Sequence, residues 1–153
     1  MNDSSPVRAT GLSGIERQRE TIAGRRDGPG IWKVLGFRLS EIEDGKATLL
    51  GTPEAEVTNP NGTVHGGWYG TLLDSCMASA VGSRLAAGQG STTLEFKVNI
   101  IRAIPVGRQV RAIGVAQHVG RTTGVATGEI RDAETGRLYA TGSTTCMVFA
   151  APD

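Results

Sequence analysis

The chain has 153 residues, enough for one domain with a substantial core and too few for two ordinary ones. Its 16 basic and 15 acidic residues leave a formal net charge of +1, which excludes the broad positive field that nucleic-acid binding draws on. Two cysteines seventy positions apart, Cys76 and Cys146, form neither a disulfide framework nor a CxxC motif, and point to reduced core thiols in a cytoplasmic protein. The opening MNDSSPVRAT lacks an apolar h-region, and Gly70, Asp74 and Gly82 interrupt the longest apolar stretch, so neither a signal peptide nor a membrane span is expected. The 22 glycines follow no fixed period and read as turn residues and points of close approach.

Residues 1 to about 11 are polar and aperiodic and are expected to form a tail. LSGIERQRETIAG then offers Ser13 as N-cap, Ile15 and Ile22 on one face and Gly24 as a stop, a short helix. Residues 1–28 are assigned to this tail and helix and residues 29–153 to the main domain. WKVLGFRLSEIEDGKATLLGTPEAEV reads as two strands joined at Asp44-Gly45, with Phe37, Leu39 and Ile42 on the inner face. NPNGT is turn chemistry. From about Gly67 to Ala87 the spacing predicts a long helix, with Leu73, Met77 and Ala80 on one line and Leu72, Cys76 and Ser79 beside them. Its other positions are small, so backbone can approach it from nearly every side. Beyond AAGQG the period changes to two: Leu94, Phe96, Val98 and Ile100 alternate, and three further strands follow, the last two joined by a loop at Gly136. Two strands, a helix and four strands make an α+β domain, an antiparallel sheet curled around one helix.

The chemistry concentrates at His65-Gly66-Gly67 and Asp74. Gly66 and Gly67 stand where the turn becomes the helix, so their N–H groups can remain unpaired and unobstructed at the positive end of the helix dipole, a seat for an oxyanion. They can equally serve only as a tight turn. Asp74, the one charged residue between Val64 and Ser83, has no basic residue at position 70 or 78 to pair with. A buried carboxylate must be satisfied by a hydrogen-bond network or used by a site. Eight helical residues separate Gly66 from Asp74, roughly 12 Å, whereas a general base and an oxyanion donor must each lie ~3 Å from the reacting carbonyl. One chain therefore cannot supply both. A homodimer with antiparallel neighbouring helices brings Gly66 of one copy to Asp74 of the other, twice per dimer.

The stretches NGTVHGGWYGTLLDSCMASAV, TLEFKVNIIRAIPVG and GRTTGVATGEIRDAETGRLYATGSTTCMVF resemble the PaaI-like branch of the hotdog-fold acyl-CoA thioesterases over roughly residues 35 to 149. The resemblance implies a curved sheet of about six strands wrapped around the helix, dimers often paired into tetramers, an acyl-CoA substrate, and thioester hydrolysis without metal or cofactor. It implies Asp74 as nucleophile or general base and Gly66 as donor to the thioester oxygen. Asn59 and His65 match residues that hold water or orient the thioester. Thr93 matches a strand hydroxyl that holds the attacking water, a role Thr92 takes if the register slips by one. Gly67 lies at the same helix start, and Arg102 and Arg121 match basic positions near the nucleotide of coenzyme A. Ala78 departs from relatives that carry Thr there. Trp68, Tyr69 and the short N-terminal helix are expected along the acyl pocket.

Two other functions fit the same fold. An acyl-thioester hydratase or dehydratase needs a His and an acid together on the substrate, and a non-catalytic acyl-CoA-binding dimer keeps Asp74 for structure alone. A nucleophilic Cys76 lacks a nearby base, and no phosphate-loop or dinucleotide motif is present.

Overall fold

A computed structural model of the chain describes residues 11–150, so residues 1–10 of the expected tail lie outside it. Helix α1 (Gly14–Ile22) begins at Ser13, whose backbone N–H and hydroxyl both donate to the Glu16 carboxylate at 2.7 Å. The next segment departs from the sequence reading, which expects strand from Trp32 onward. The chain instead forms a second short helix, α2 (Gly30–Leu35), ended by Gly36 at φ 75°. That left-handed conformation suits a residue without a Cβ, and the strand starts one residue later.

Strands β1 (Phe37–Glu43) and β2 (Lys46–Gly51) pair antiparallel across Asp44-Gly45. A register shift between Leu39 and Glu41 inserts one extra residue, which returns Ile42 to the side of Phe37 and Leu39. β2 stops at Gly51, and Ala55–Val57 forms one turn of 3-10 helix where the sequence reading continues the strand. The central helix α3 (Gly66–Gly82) is 17 residues long and ends at Gly82, not near Ala87. Ser83 fixes that end: its hydroxyl donates to the Ala80 carbonyl and accepts from the Gly45 N–H, which ties the helix terminus to the β1–β2 turn.

Strands β3 (Gln89–Ile100), β4 (Val110–Val119), β5 (Thr123–Asp132) and β6 (Leu138–Ala150) complete one antiparallel six-stranded sheet in the order β1-β2-β4-β5-β6-β3. The sheet curls around α3 in the hotdog arrangement. Leu72, Leu73, Cys76, Met77, Ala80 and Val81 of α3 are fully buried against it, and each large side chain among them contributes roughly 1.5–3 kcal/mol of burial.

α3 can lie so close because a row of glycines crosses the sheet. Gly114 pairs with Gly128 and Gly128 with Gly142, so three adjacent strands lack side chains along one line facing the helix. A Cβ on Gly114 would sit 2.2 Å from the Cys76 carbonyl oxygen, a contact with helix backbone that cannot yield by changing a rotamer. The N-terminal helices pack on the side of α3 that the sheet leaves uncovered. Gly14 donates to the Leu85 carbonyl at 2.8 Å and Gln18 Nε2 to the Ser79 carbonyl at 2.9 Å, so α1 lies over the last turns of α3. Trp32 of α2 donates from its indole to Ser75 Oγ at 2.9 Å.

β3 forms one edge of the sheet. Its apolar alternation does not mark a covered face: Leu94, Phe96 and Ile100 are 58%, 45% and 50% exposed, and the following Ile101 is 47% exposed. A register shift between Thr93 and Glu95 makes Leu94 the extra residue of a bulge and takes it out of line with Phe96. Among the described residues, no helix is long and apolar enough to cross a membrane.

Candidate active site

Asp74 lies two turns into α3 on its uncovered strip. Thr71, Asp74, Ser75 and Ala78 are all half-buried there, while the residues between them are buried against the sheet. The carboxylate is thus less enclosed than its apolar sequence context suggests, and it has a partner: Thr93 Oγ1 donates to Asp74 Oδ1 at 2.7 Å. Thr93 reaches it because β3 runs alongside α3, with Phe96 and Val98 over Gly70 and Ile100 beside Gly66. Thr92 belongs to the opposite face of the strand and is exposed, so the hydroxyl next to the acid is that of Thr93. Cys146, the cross-strand partner of Thr93, is buried, and burial pushes its thiol up. Burial pushes the Cys76 thiol up much further. Neither environment favours a thiolate nucleophile.

At the start of α3, His65 is the N-cap and its Nδ1 accepts the Gly67 N–H at 2.8 Å. The Trp68 N–H bonds to the His65 carbonyl at 3.0 Å. Gly66 is the first helical residue, and its N–H has no acceptor among the described residues. His65, Gly66 and Gly67 are all exposed. The result is one open, outward backbone donor at the positive end of a long helix, the chemistry needed to stabilise an oxyanion. The amide of Gly67, by contrast, is already engaged by His65.

The remaining sequence-derived residues do not all converge. Asn59 is occupied within its own loop: Oδ1 accepts from the Asn61 and Thr63 N–H groups at 2.9 and 3.2 Å, and Nδ2 donates to Thr63 Oγ1 at 2.8 Å. It shapes the approach to the helix. Arg102 donates from Nη1 to the Leu138 carbonyl at 2.9 Å, and its own carbonyl accepts from the Tyr69 hydroxyl near the start of α3. Arg121 is exposed in the β4–β5 turn, which lies by Val81 near the other end of α3. Twelve helical residues separate Tyr69 from Val81, ~18 Å, so one chain does not bring the two guanidinium groups to one phosphate.

Trp68 and Tyr69 are core residues. Trp68 packs edge-on against Phe37 at 5.2 Å and donates to the Leu35 carbonyl, while the Tyr69 hydroxyl accepts from the Ile104 N–H at 2.8 Å. The aromatic that stands next to the site is one the sequence reading passes over, Trp32, bonded to the residue after Asp74. Its only signal is a tryptophan isolated between glycine-rich breaks.

Comparison with known proteins places the fold. A family model described as the thioesterase superfamily matches residues 61–139. The acyl-coenzyme A thioesterase PaaI of Escherichia coli (strain K12) is 31% identical over 94 residues, which cover 61% of this chain and 64% of that protein, so the match spans less than two thirds of that relative. A solved thioesterase family protein from Silicibacter pomeroyi superposes with a TM-score of 0.78 at 25% identity, covering 91% of this chain and 100% of that one. The structure of E. coli PaaI, from the phenylacetic acid degradation operon, shares the fold with a TM-score of 0.78 at 20% identity over 91% of this chain and 98% of its own.

Proposed function

Because the chain belongs to the thioesterase superfamily, we propose that it hydrolyses acyl-CoA thioesters at sites shared between two copies of itself. The observation that carries this reading is the pairing of an Asp74 carboxylate oriented by Thr93 with an exposed Gly66 N–H that has no acceptor among the described residues. The thioester carbonyl accepts the Gly66 N–H at the helix N-terminus, and its oxygen gains negative charge there as the carbonyl carbon is attacked. Asp74 of the partner subunit either deprotonates a water held with Thr93, which attacks and displaces the CoA thiolate, or attacks directly to give an acyl anhydride that water then cleaves to release the acid and restore the carboxylate.

The edge strand supports the two-copy arrangement. β3 offers unpaired backbone and three large exposed apolar side chains, with Ile101 just beyond, an edge that soluble proteins cover. Antiparallel pairing of β3 with its own copy, centred on Lys97 and with the Leu94 bulge counted, sets Thr93 opposite Ile100 of the partner subunit. Ile100 reaches to 3.5 Å from a Cβ built on Gly66, and Thr93 holds Asp74, so this register also sets each acid beside the other copy's helix start.

The reading is tested by release of free CoA thiol from a panel of acyl-CoA esters. Wild-type protein liberates thiol, and Asp74→Asn, which keeps the shape, lowers kcat by at least ~100-fold. Hydrolysis undiminished in the variant removes Asp74 from the mechanism.

A further inference from the structure

We infer that Trp32 sets the limit on the acyl group this enzyme accepts, an inference that rests on the thioesterase reading above. The uncovered strip of α3, carrying Thr71, Asp74, Ser75 and Ala78, is the floor of a trough. β3 forms one wall, where Thr93 bonds to Asp74 and Phe96 lies over Gly70. The N-terminal segment forms the other: Gln18 holds the Ser79 carbonyl and Trp32 holds Ser75 Oγ. An acyl group whose carbonyl is attacked at Asp74 must leave along this floor, because the opposite side of the helix is packed against the sheet.

Trp32 occupies the decisive place in the second wall. Its indole is 8% exposed and pinned by the bond to Ser75, the residue after the acid. Against it lies a cavity of about 330 Å³, partly open to solvent, with no α3 residue in its wall, lined by Phe37 and Leu50 and also by Lys33, Arg38, Thr52 and Gln109. That volume is at the lower end of those that hold small molecules. Trp32 is therefore a partition between the acid and a space already present in the fold. With the indole in position the acyl group stops at it; with the indole removed the trough opens toward the cavity and a longer chain can reach Phe37 and Leu50.

The test compares kcat/KM for hexanoyl-CoA and dodecanoyl-CoA in wild type, Trp32→Ala and Trp32→Phe, with thermal melting of each. Because one methylene in a fitted pocket is worth about tenfold or more in discrimination, Trp32→Ala should raise the dodecanoyl-to-hexanoyl ratio at least ~10-fold. Trp32→Phe, which keeps a ring in place and serves if the alanine variant melts early, should move the ratio the same way by less. An equal fall for both substrates in both variants would mean that the indole only props Ser75, and would overturn the inference while leaving the thioesterase intact. A wild type that releases no thiol from any acyl-CoA would overturn both.

Discussion

The Gly66 N–H can be deleted with almost nothing else disturbed, because Gly66→Pro fits the local backbone. Gly66 is the first residue of α3, the helical position where proline is best tolerated, since its missing N–H has no intrahelical partner. His65 before it sits at φ −63°, ψ 138°, the extended region that a residue preceding proline prefers. A Cβ at position 66 meets only Ile100 Cδ1 at 3.5 Å, an ordinary contact. Proline should also reduce the freedom of the unfolded chain, worth about 0.4–1 kcal/mol toward the folded state, so the variant should melt no earlier than wild type. The expected catalytic loss is that of one oxyanion donor, ~100- to 1,000-fold in kcat. Gly66→Ala keeps the N–H and makes the same contact with Ile100, so it should stay within about threefold of wild type on the same logic. Thiol release measured for both variants at saturating substrate decides the point. Mixing Gly66→Pro with Asp74→Asn through unfolding and refolding extends it: half of randomly formed dimers are mixed and each has one intact composite site, so about a quarter of wild-type activity should return. Full activity in Gly66→Pro would refute the oxyanion assignment, and no recovery on mixing would refute the shared site.

Two further expectations concern the scaffold. Gly114→Ala drives a Cβ into the backbone of Cys76 and Met77, at 2.2–2.8 Å, so it should cost about 2–3 kcal/mol, whereas Gly128→Ala meets side-chain atoms of Met77, Leu73 and Cys76 at 2.9–3.3 Å and should cost less. Urea midpoints at equal protein concentration give the order, and a Gly114 variant as stable as wild type would mean that the helix does not rest on the sheet here. Asp132, whose side chain is 2% exposed, accepts from the Thr135 and Glu134 N–H groups and the Tyr139 hydroxyl and lies 3.1 Å from Arg108 Nε. Those backbone donors, with the hydroxyl and the guanidinium, hold its pKa down at about 2, below the ordinary 3.8. The unfolded chain therefore binds the proton more readily, and this part of the stability is present above about pH 4 and is lost as pH falls toward 2. Asp132→Asn should be less stable at pH 7 and should lose less between pH 4 and pH 2, by urea midpoints at each pH; an unchanged slope would refute the assignment.

What could be read in the sequence was whatever depends on neighbours along the chain. The Asp44-Gly45 turn, the Ser13 cap, the four-strand run after the helix and the spacing of Gly66 and Asp74 are local or single-element features, and each is found in the fold. Features that depend on what lies across the fold were not legible. A period of two says that Phe96 and Ile100 share a side of β3 but not that β3 is an edge, and one inserted residue at Leu94 takes that side chain out of the series. GIWKVL is too short for its apolar pattern to choose between strand and helix, so α2 and its Trp32 went unread. Asn59 looks free in the sequence because the groups that occupy it are two and four residues on, in a turn whose shape it creates.

The glycines make the same point in the other direction. Gly114, Gly128 and Gly142 are evenly spaced, yet among 22 glycines that interval has no meaning until the strands are paired. Antiparallel hairpins fold the chain back on itself, so residues at equal intervals fall side by side only when the interval matches each hairpin's register, as it does at Gly114–Gly128 and Gly128–Gly142. The row that results lets α3 sink toward β4, β5 and β6 on one side, and this leaves the strip with Asp74 facing the other way, toward Thr93 and Trp32. The acid's orientation is therefore a consequence of where side chains are missing on the far side of its helix. A residue with a side chain at position 114 should disturb the site as well as the core, which the thiol-release rate of the Gly114→Ala variant under conditions where it remains folded will report.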